Sequence, residues 1–201
     1  MTGTCWIGGA PGAGKSTLAR RLAAERGAHL YATDDVMRDH AARAAEAPYL
    51  TAFLAMTMDE RWLTRSPQAM LDEFHWFRGE AFDLIVDDLR GIDADVVVEG
   101  FRLLPHLVAP LLGPDSRAVW LLPTPEFRAA ALASRGDTWT IAGRTSDPPR
   151  ALHNLAVRDR LFTERLTAEV ERLGLPSVRL AAGMTEDDAY SRMKAALRAP
   201  A

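Results

Sequence analysis

The stretch Gly9–Ser16, GAPGAGKS, constrains this chain more than any other feature. It fits G-x-x-x-x-G-K-[ST] at every fixed position. Glycines let a backbone wrap so that successive N–H groups point at one anion, and the positive end of a following helix adds to the same field. The flanks supply what that geometry needs. Thr4–Gly8 (TCWIG) is a short apolar run bounded by glycine, as in a buried strand. Ser16–Gly27 (STLARRLAAERG) puts Leu18, Leu22 and Ala23 on one helical stripe, which Gly27 ends. Of the 24 Lys and Arg residues only Lys15 and Lys194 are lysines. A chain that writes arginine almost everywhere keeps lysine in this loop, where a mobile point charge serves phosphate oxygens better than a rigid fork.

Four more strand signals follow: Ala28–Thr33 (AHLYAT), Asp93–Gly100 (DADVVVEG), Arg117–Thr124 (RAVWLLPT) and Pro176–Gly183 (PSVRLAAG). Val96, Val97 and Val98 are continuous, as in parallel strands buried on both faces. Helical patterns separate the strands, so the chain reads as α/β with a parallel sheet. Two connections are longer than a plain crossover. The first runs from Thr33 to Asp93. Pro48 and Pro67 cut it into helical pieces, and its last piece, Leu71–Gly91, is expected as one helix with Phe74, Phe77, Ala81, Ile85 and Leu89 on a stripe. The second runs from Pro123 to Leu175. It is expected to open with the helix Pro125–Gly136, pass through an irregular stretch from Asp137 to Arg150, and return to a helix over Ala151–Gly174.

The 201 residues are expected to form a single domain, residues 1–201. A net charge of −3 gives no basic stripe for nucleic acid or anionic membrane, so neither is expected as a partner. Cys5 is the only cysteine, which excludes an internal disulfide and suits a reducing compartment. The loop begins close to Met1, so no signal peptide is expected, and no apolar run reaches membrane-spanning length. The expected localisation is cytoplasmic.

In a loop of this kind the N–H groups of Gly9, Gly12, Ala13, Gly14, Lys15, Ser16 and Thr17 are the expected nucleotide-binding set, and Ser16 is the expected Mg²⁺ ligand. The bound molecule is expected to be a nucleoside triphosphate. The chain resembles the kinase branch of the P-loop proteins, which includes adenylate kinase, shikimate and gluconate kinases and chloramphenicol phosphotransferase. The resemblance implies a P-loop NTPase fold: a five-stranded parallel sheet of order 2-3-1-4-5 flanked by helices. It also implies an acceptor-binding insert, here about residues 34–92, and an arginine-bearing lid, here about residues 135–152.

The resemblance gives further residues their expected roles. Asp34 follows the second strand, where an acidic side chain can orient an acceptor hydroxyl and take its proton; Asp35 is the second choice, and Thr33 or Asp34 can instead cap the next helix. Glu99 ends the third strand, where a Walker B residue holds Mg²⁺ through water. The run EGFR (Glu99–Arg102) is similar to the DGFPR of adenylate kinase, so Arg102 is a candidate for an acceptor phosphate. TIAGRTSD resembles a lid segment and VRDRLFTERL the helix after it. Arg144 and Arg158 are therefore the expected clamps on the transferring group, with Arg135 and Arg150 behind them. His75 and Arg78 are expected on one helix side, facing a polar substrate; Trp139 is a candidate for stacking and Gly183 for an adenine contact. The reading is an ATP- and Mg²⁺-dependent kinase of a small-molecule hydroxyl, of a metabolite or an antibiotic. The alternatives are a nucleoside monophosphate kinase and a nucleotide-dependent switch. Oligomeric state and acceptor identity are not legible.

Overall fold

Alternate residues of each central strand feed two hydrophobic layers, as the period of two in a strand requires. Trp6, Val98 and Trp120 are buried on one face, and Ile7, Val97, Val119 and Leu121 on the other. The computed structural model describes residues 3–128, 130 and 141–198. Its strands are β1 (Thr4–Gly9), β2 (His29–Ala32), β3 (Val96–Glu99), β4 (Ser116–Pro123) and β5 (Ser177–Leu180). All pair in parallel, in the order β2-β3-β1-β4-β5, which is the order the resemblance implies.

Helix α1 (Lys15–Arg26) leaves β1 and lies over the second face. Its end is closed by Gly27 at φ 62°, with the Ala28 N–H returning to the Ala23 carbonyl at 3.0 Å. The first face is covered by α5 (Phe82–Arg90), the short α6 (Pro105–Val108) and α7 (Pro148–Arg172), through Ile85, Leu89, Val108, Phe162, Leu166 and Val170. The last helix, α8 (Glu186–Arg198), joins α1 through Tyr190, Met193 and Leu197. Thr185 and Asp188 form its capping box: the Asp188 N–H donates to Thr185 Oγ1 at 3.1 Å, and the Thr185 hydroxyl donates back at 2.7 Å. Both buried indoles are satisfied. Trp6 Nε1 donates to Ser116 Oγ and Trp120 Nε1 to the Leu103 carbonyl, each at 2.9 Å.

Between β2 and β3 lie α2 (Met37–Arg43), α3 (Pro48–Ala55), a π-turn at Glu60–Thr64 and α4 (Pro67–Glu73). Pro48 and Pro67 each begin a helix, consistent with a fixed φ that suits the first turn. The expected single helix over Leu71–Gly91 is corrected to three pieces. After α4 comes a 3₁₀ turn at His75–Arg78, and then α5. Gly79 at φ 82° and Ala81 at φ 57° break the run. The stripe fails because His75, Trp76 and Phe77 are buried together, which no straight helix with one apolar face allows.

Phe53, Trp62, Leu63, Ala142, Ala151 and Leu155 form a third cluster, joining this insert to the start of α7. Residues 125–128 are helical, so the helix expected from Pro125 begins as read. Arg135 and Trp139 lie outside the described residues. A 3₁₀ turn at Ala142–Arg144 leads into α7, which starts at Pro148 with Asp147 as its cap. Among the described residues no helix is long and apolar enough to cross a membrane.

Candidate functional site

The register of the sheet decides what meets at its carboxyl edge. Glu99 stands beside Ile7 on one side and Ala32 on the other. The residues after those positions, Gly8–Gly14, Thr33–Asp35 and Gly100–Arg102, therefore gather at one end, where ligands of open α/β sheets collect. The approach is tight. A Cβ at Gly100 would sit 1.7 Å from Thr33 Oγ1, so only glycine lets β3 leave the sheet beside β2.

The glycine loop then turns from β1 into α1. Gly12 (φ 80°) and Gly14 (φ 73°) have nothing within 4 Å of a notional Cβ. Conformation and not crowding selects glycine at both positions. Helix α1 has no side-chain cap and no acidic residue in its first turn. The positive end of the helix therefore meets the loop with no side-chain carboxylate of its own, which suits an outside anion. Pro11, Gly12, Gly14, Lys15, Ser16, Thr17, Asp34 and Phe101 line a cleft of 290 Å³. Lys15 is mostly buried, and its Nζ donates to the Ala10 carbonyl at 2.9 Å, across the loop's own turn.

Two acidic residues, Asp34 and Glu99, feel this cation, and a third, Asp35, lies near both. Asp34 opens into the cleft. Its loss of surrounding water pushes its carboxyl above the ordinary range, while Lys15, the Thr33 hydroxyl and Arg102 pull it down. Glu99 is buried, and burial raises its carboxyl too, against a bond from the Ser16 hydroxyl and the charge of Lys15. Glu99 Oε2 has no hydrogen-bond partner, an orphaned acceptor beside Ser16 and next to the loop. Asp35 is exposed and adds negative charge to both neighbours. No group of three His, Cys, Asp or Glu side chains among the described residues could hold a metal ion by itself. A cation here would need oxygens from a ligand as well.

The other expected residues are not brought to this cleft. Arg102 is 2% exposed and is engaged within the protein. Its Nη1 donates to His40 Nδ1 at 3.0 Å and its Nη2 to the Ala81 carbonyl at 3.1 Å, and its plane lies 4.0 Å above the Trp76 ring. Burial lowers its pKa to about 10. Arg158 is also buried. It donates to Asp159 Oδ1 through Nε at 2.9 Å and Nη2 at 2.6 Å, and sits 5.2–5.5 Å from the Trp62, Phe74 and Phe77 ring centroids. Arg144 and Arg150 are exposed, one in the 3₁₀ turn before α7 and the other in the first turn of α7. Gly183 lies in a turn after β5 at φ 80°, outside the cleft lining.

His75 and Arg78 do not share an environment: His75 is buried and Arg78 exposed, so they do not face a substrate together, contrary to expectation. His75 packs among Phe53, Phe74 and Trp76, and burial pushes its imidazole down to about 3. Arg78 is exposed, stacks on Tyr49 at 4.0 Å and donates to the Asp72 carbonyl. A 3₁₀ turn eclipses residues three apart, so what separates the two is the packing over each side chain and not the twist of the turn. Sequence reasoning missed His40 and Asp88, which the fold joins behind Arg102 across 48 residues of chain. No local pattern marks them.

A larger groove of 610 Å³ lies between α7 and the β4–β5 edge, lined by Arg128, Arg160 and Arg179 among others. It contains none of the loop residues. The smaller cleft is the candidate site because it brings the glycine loop, Lys15 at the N-terminus of α1, and Asp34 together.

A family model described as an AAA domain matches residues 5–153. No curated protein matches the chain. Among solved structures, an uncharacterized protein from Eubacterium ventriosum ATCC 27560 is similar at 14% identity and a TM-score of 0.53, covering 98% of both chains. Deoxyadenosine kinase from M. mycoides with bound dATP is similar at 11% identity and 0.53, covering 98% of this chain and 100% of that one. A gluconokinase from Sinorhizobium meliloti 1021 is similar at 16% identity and 0.51, covering 97% and 91%. At these identities the likeness shows a shared fold.

Proposed function

The chain belongs to the AAA domain family and has the fold of the P-loop small-molecule kinases, and from that premise we propose that it is an ATP- and Mg²⁺-dependent phosphotransferase that moves the γ-phosphoryl group to a hydroxyl of a small molecule. One observation carries the reading: Asp34 lines the same cleft as Lys15, Ser16 and Thr17. A base and a phosphate cradle within one small cleft are what hydroxyl phosphorylation needs.

In this reading the N–H groups of Gly9, Gly12, Ala13, Gly14, Lys15, Ser16 and Thr17 bind the phosphate chain. Lys15 exchanges the Ala10 carbonyl for the β- and γ-phosphate oxygens. Asp34 orients the acceptor hydroxyl and takes its proton as the acceptor oxygen bonds to the γ-phosphorus and the β–γ bridging bond breaks. ADP leaves with the bridging oxygen. Asp34 is exposed at the cleft, yet the protein crowding its carboxyl raises it and so makes it a better proton acceptor, against the opposing charge of Lys15. The orphaned Glu99 Oε2 and the Ser16 hydroxyl fit Mg²⁺, Glu99 through water. Bound there with the triphosphate, the ion would neutralise phosphate charge.

The burial of Arg102 favours a hydroxyl acceptor over a monophosphate. Gripping an acceptor phosphate would require this guanidinium to abandon His40, the Ala81 carbonyl and Trp76. The kinase names of two structural neighbours agree with the reading. Arg144 and Arg158 reach the phosphates only if the lid side and α7 move toward the cleft, which is the closure expected of such enzymes.

The deciding experiment measures ADP release with a panel of metabolites, antibiotics and nucleoside monophosphates. With the acceptor so identified, Asp34→Asn should retain ATP affinity and lose about 10²–10⁴-fold in kcat. Wild-type turnover in Asp34→Asn, or stimulation by monophosphates alone, would overturn the hydroxyl reading.

A further inference from the structure

Behind Asp34 lies a buried polar chain that the phosphotransfer reading does not use. Arg102 can only donate, so its 3.0 Å contact requires a lone pair on His40 Nδ1. The ring proton is then on Nε2, which donates to Asp88 Oδ2 at 2.8 Å. Asp88 also accepts from the Tyr31 hydroxyl at 2.7 Å and from Arg43 Nη1 at 3.1 Å. Burial would raise the Asp88 carboxyl, but these three donors hold it below its usual range. Asp88 is therefore a fixed anion, and His40, with no exposed surface, is a one-tautomer link between it and Arg102.

The far end of the chain reaches the site. Arg102 Nη1 also approaches the carbonyl of Thr33 at 3.5 Å, the peptide that leads into Asp34, and the Arg102 charge acts on the Asp34 carboxyl. Thr33 is clamped from its other side by the close approach of Gly100. Arg102 Nη2 holds the Ala81 carbonyl, at the start of the helix that carries Asp88. One guanidinium thus ties both ends of α5, directly and through His40, to the end of β2.

We propose that His40 is a positioning residue: oriented by Asp88, it fixes the Arg102 guanidinium, which sets the place of the Thr33–Asp34 segment at the cleft. The proposal rests on Asp34 being the base for its catalytic consequence, but its geometric part does not. If the segment slips when the link is cut, phosphorylation slows through misplacement, and ATP binding at the glycine loop is untouched.

Three variants separate this from simple packing. His40→Asn keeps an acceptor near the Nδ1 position, so it keeps Arg102 and loses Asp88. His40→Leu loses both. Asp88→Asn leaves the Arg102–His40 bond in place and weakens the outer contacts of Asp88 with His40, Tyr31 and Arg43. Expected are kcat losses of up to about 10²-fold in His40→Leu with an unchanged KM for ATP, partial rescue in His40→Asn, and an intermediate loss in Asp88→Asn. Backbone ¹⁵N relaxation should show raised mobility at Asp34 in His40→Leu relative to His40→Asn. In the wild-type protein, ¹⁵N shifts of the His40 ring should show a protonated Nε2 and a bare Nδ1. A protonated Nδ1 would overturn the link and needs no variant, so failed folding of His40→Leu leaves it testable. Equal kcat and equal Asp34 mobility in the Leu and Asn variants would overturn the positioning role. Altered Asp34 mobility with a silent Asp34→Asn would instead keep the link and remove the base.

Discussion

In the glycine loop, shape comes from backbone: Gly12 and Gly14 take positive φ with open space around them, and α1 begins without a capping side chain. In the insert between β2 and β3, shape comes from side chains. Phe53, Trp62 and Phe74 meet edge to face with centroids 5.3–5.8 Å apart, and a guanidinium sits over two of these rings. The loop is a cradle whose form is encoded within eight consecutive residues. The insert is a small core of its own, tied by Ala151 and Leu155 to α7. A cradle of backbone amides suits a ligand part common to many proteins, the phosphate chain. A packed aromatic core serves first the stability of its own region.

The strongest way to break this contrast is at Lys15. If the loop serves the ligand and not the core, Lys15→Ala should lower transfer by about 10²–10³-fold, the cost of removing one preorganised charge from the transition state. Its thermal melt should stay within a few degrees of wild type by calorimetry. A collapsed fold would show that the Ala10 contact is structural. The insert should behave in the opposite way. Trp62→Ala empties a site that is 7% exposed and should cost about 3–5 kcal/mol in urea unfolding. Titration of the folded variant with an ATP analogue should give the wild-type affinity. Weakened nucleotide binding there would mean that the insert and the loop are energetically coupled.

The same contrast explains what the sequence could reveal. The strands were legible because Val96–Val98 and the runs around Trp6 and Trp120 are apolar on both faces, and the order β2-β3-β1-β4-β5 followed from resemblance carried by the glycine loop. The placement of Asp34, Glu99 and Ser16 around the loop was legible because they occupy fixed offsets from strands and loop. Arg102 was singled out by its position but not by its environment. Its partners, His40 and Ala81, lie 62 and 21 residues away, and a pattern of neighbours cannot report them. The insert failed in a different way. The stripe Phe74–Leu89 has helical spacing, but His75 and Trp76 are buried as well, so tertiary packing overrode the local period. The capping box at Thr185–Asp188 was a readable signal that went unused.

A milder test lies in the insert's buried histidine. His75 is neutral, its pKa lowered by burial to about 3 against an unfolded value near 6.5, and its Nδ1 has no partner. Between those values the unfolded chain binds the proton and the folded one does not. Stability should therefore be full above about pH 6.5 and fall as pH drops toward about 3, with a slope of up to about 1.4 kcal/mol per pH unit from this residue. His75→Phe should flatten that part of the curve in urea titrations from pH 4 to 7. It should also keep the edge-to-face packing. An identical slope in the variant would assign the acid sensitivity to other groups.

The smallest effect concerns Ala81, whose φ of 57° is a left-handed conformation at a residue with a side chain. Such a position costs roughly 1–2 kcal/mol for L-residues other than glycine. Glycine would remove that cost but add backbone freedom to the unfolded chain, worth about 0.4–1 kcal/mol in the other direction. The balance favours Ala81→Gly by up to about 1 kcal/mol, seen as a raised urea midpoint with an unchanged slope. A β-branched Ala81→Val should shift it downward, because the branch worsens the same strain. Two consequences separate strain from mere flexibility. The carbonyl of residue 81 should still accept from Arg102 Nη2 in Ala81→Gly, so the His40 tautomer should not change. The kcat should also stay at the wild-type value, since the break between the 3₁₀ turn and α5 is kept and only its energy is altered. A lowered midpoint for Ala81→Gly would mean that the side chain is needed where it stands, and that the break in the expected helix is set by packing at Ala81 as much as by Gly79.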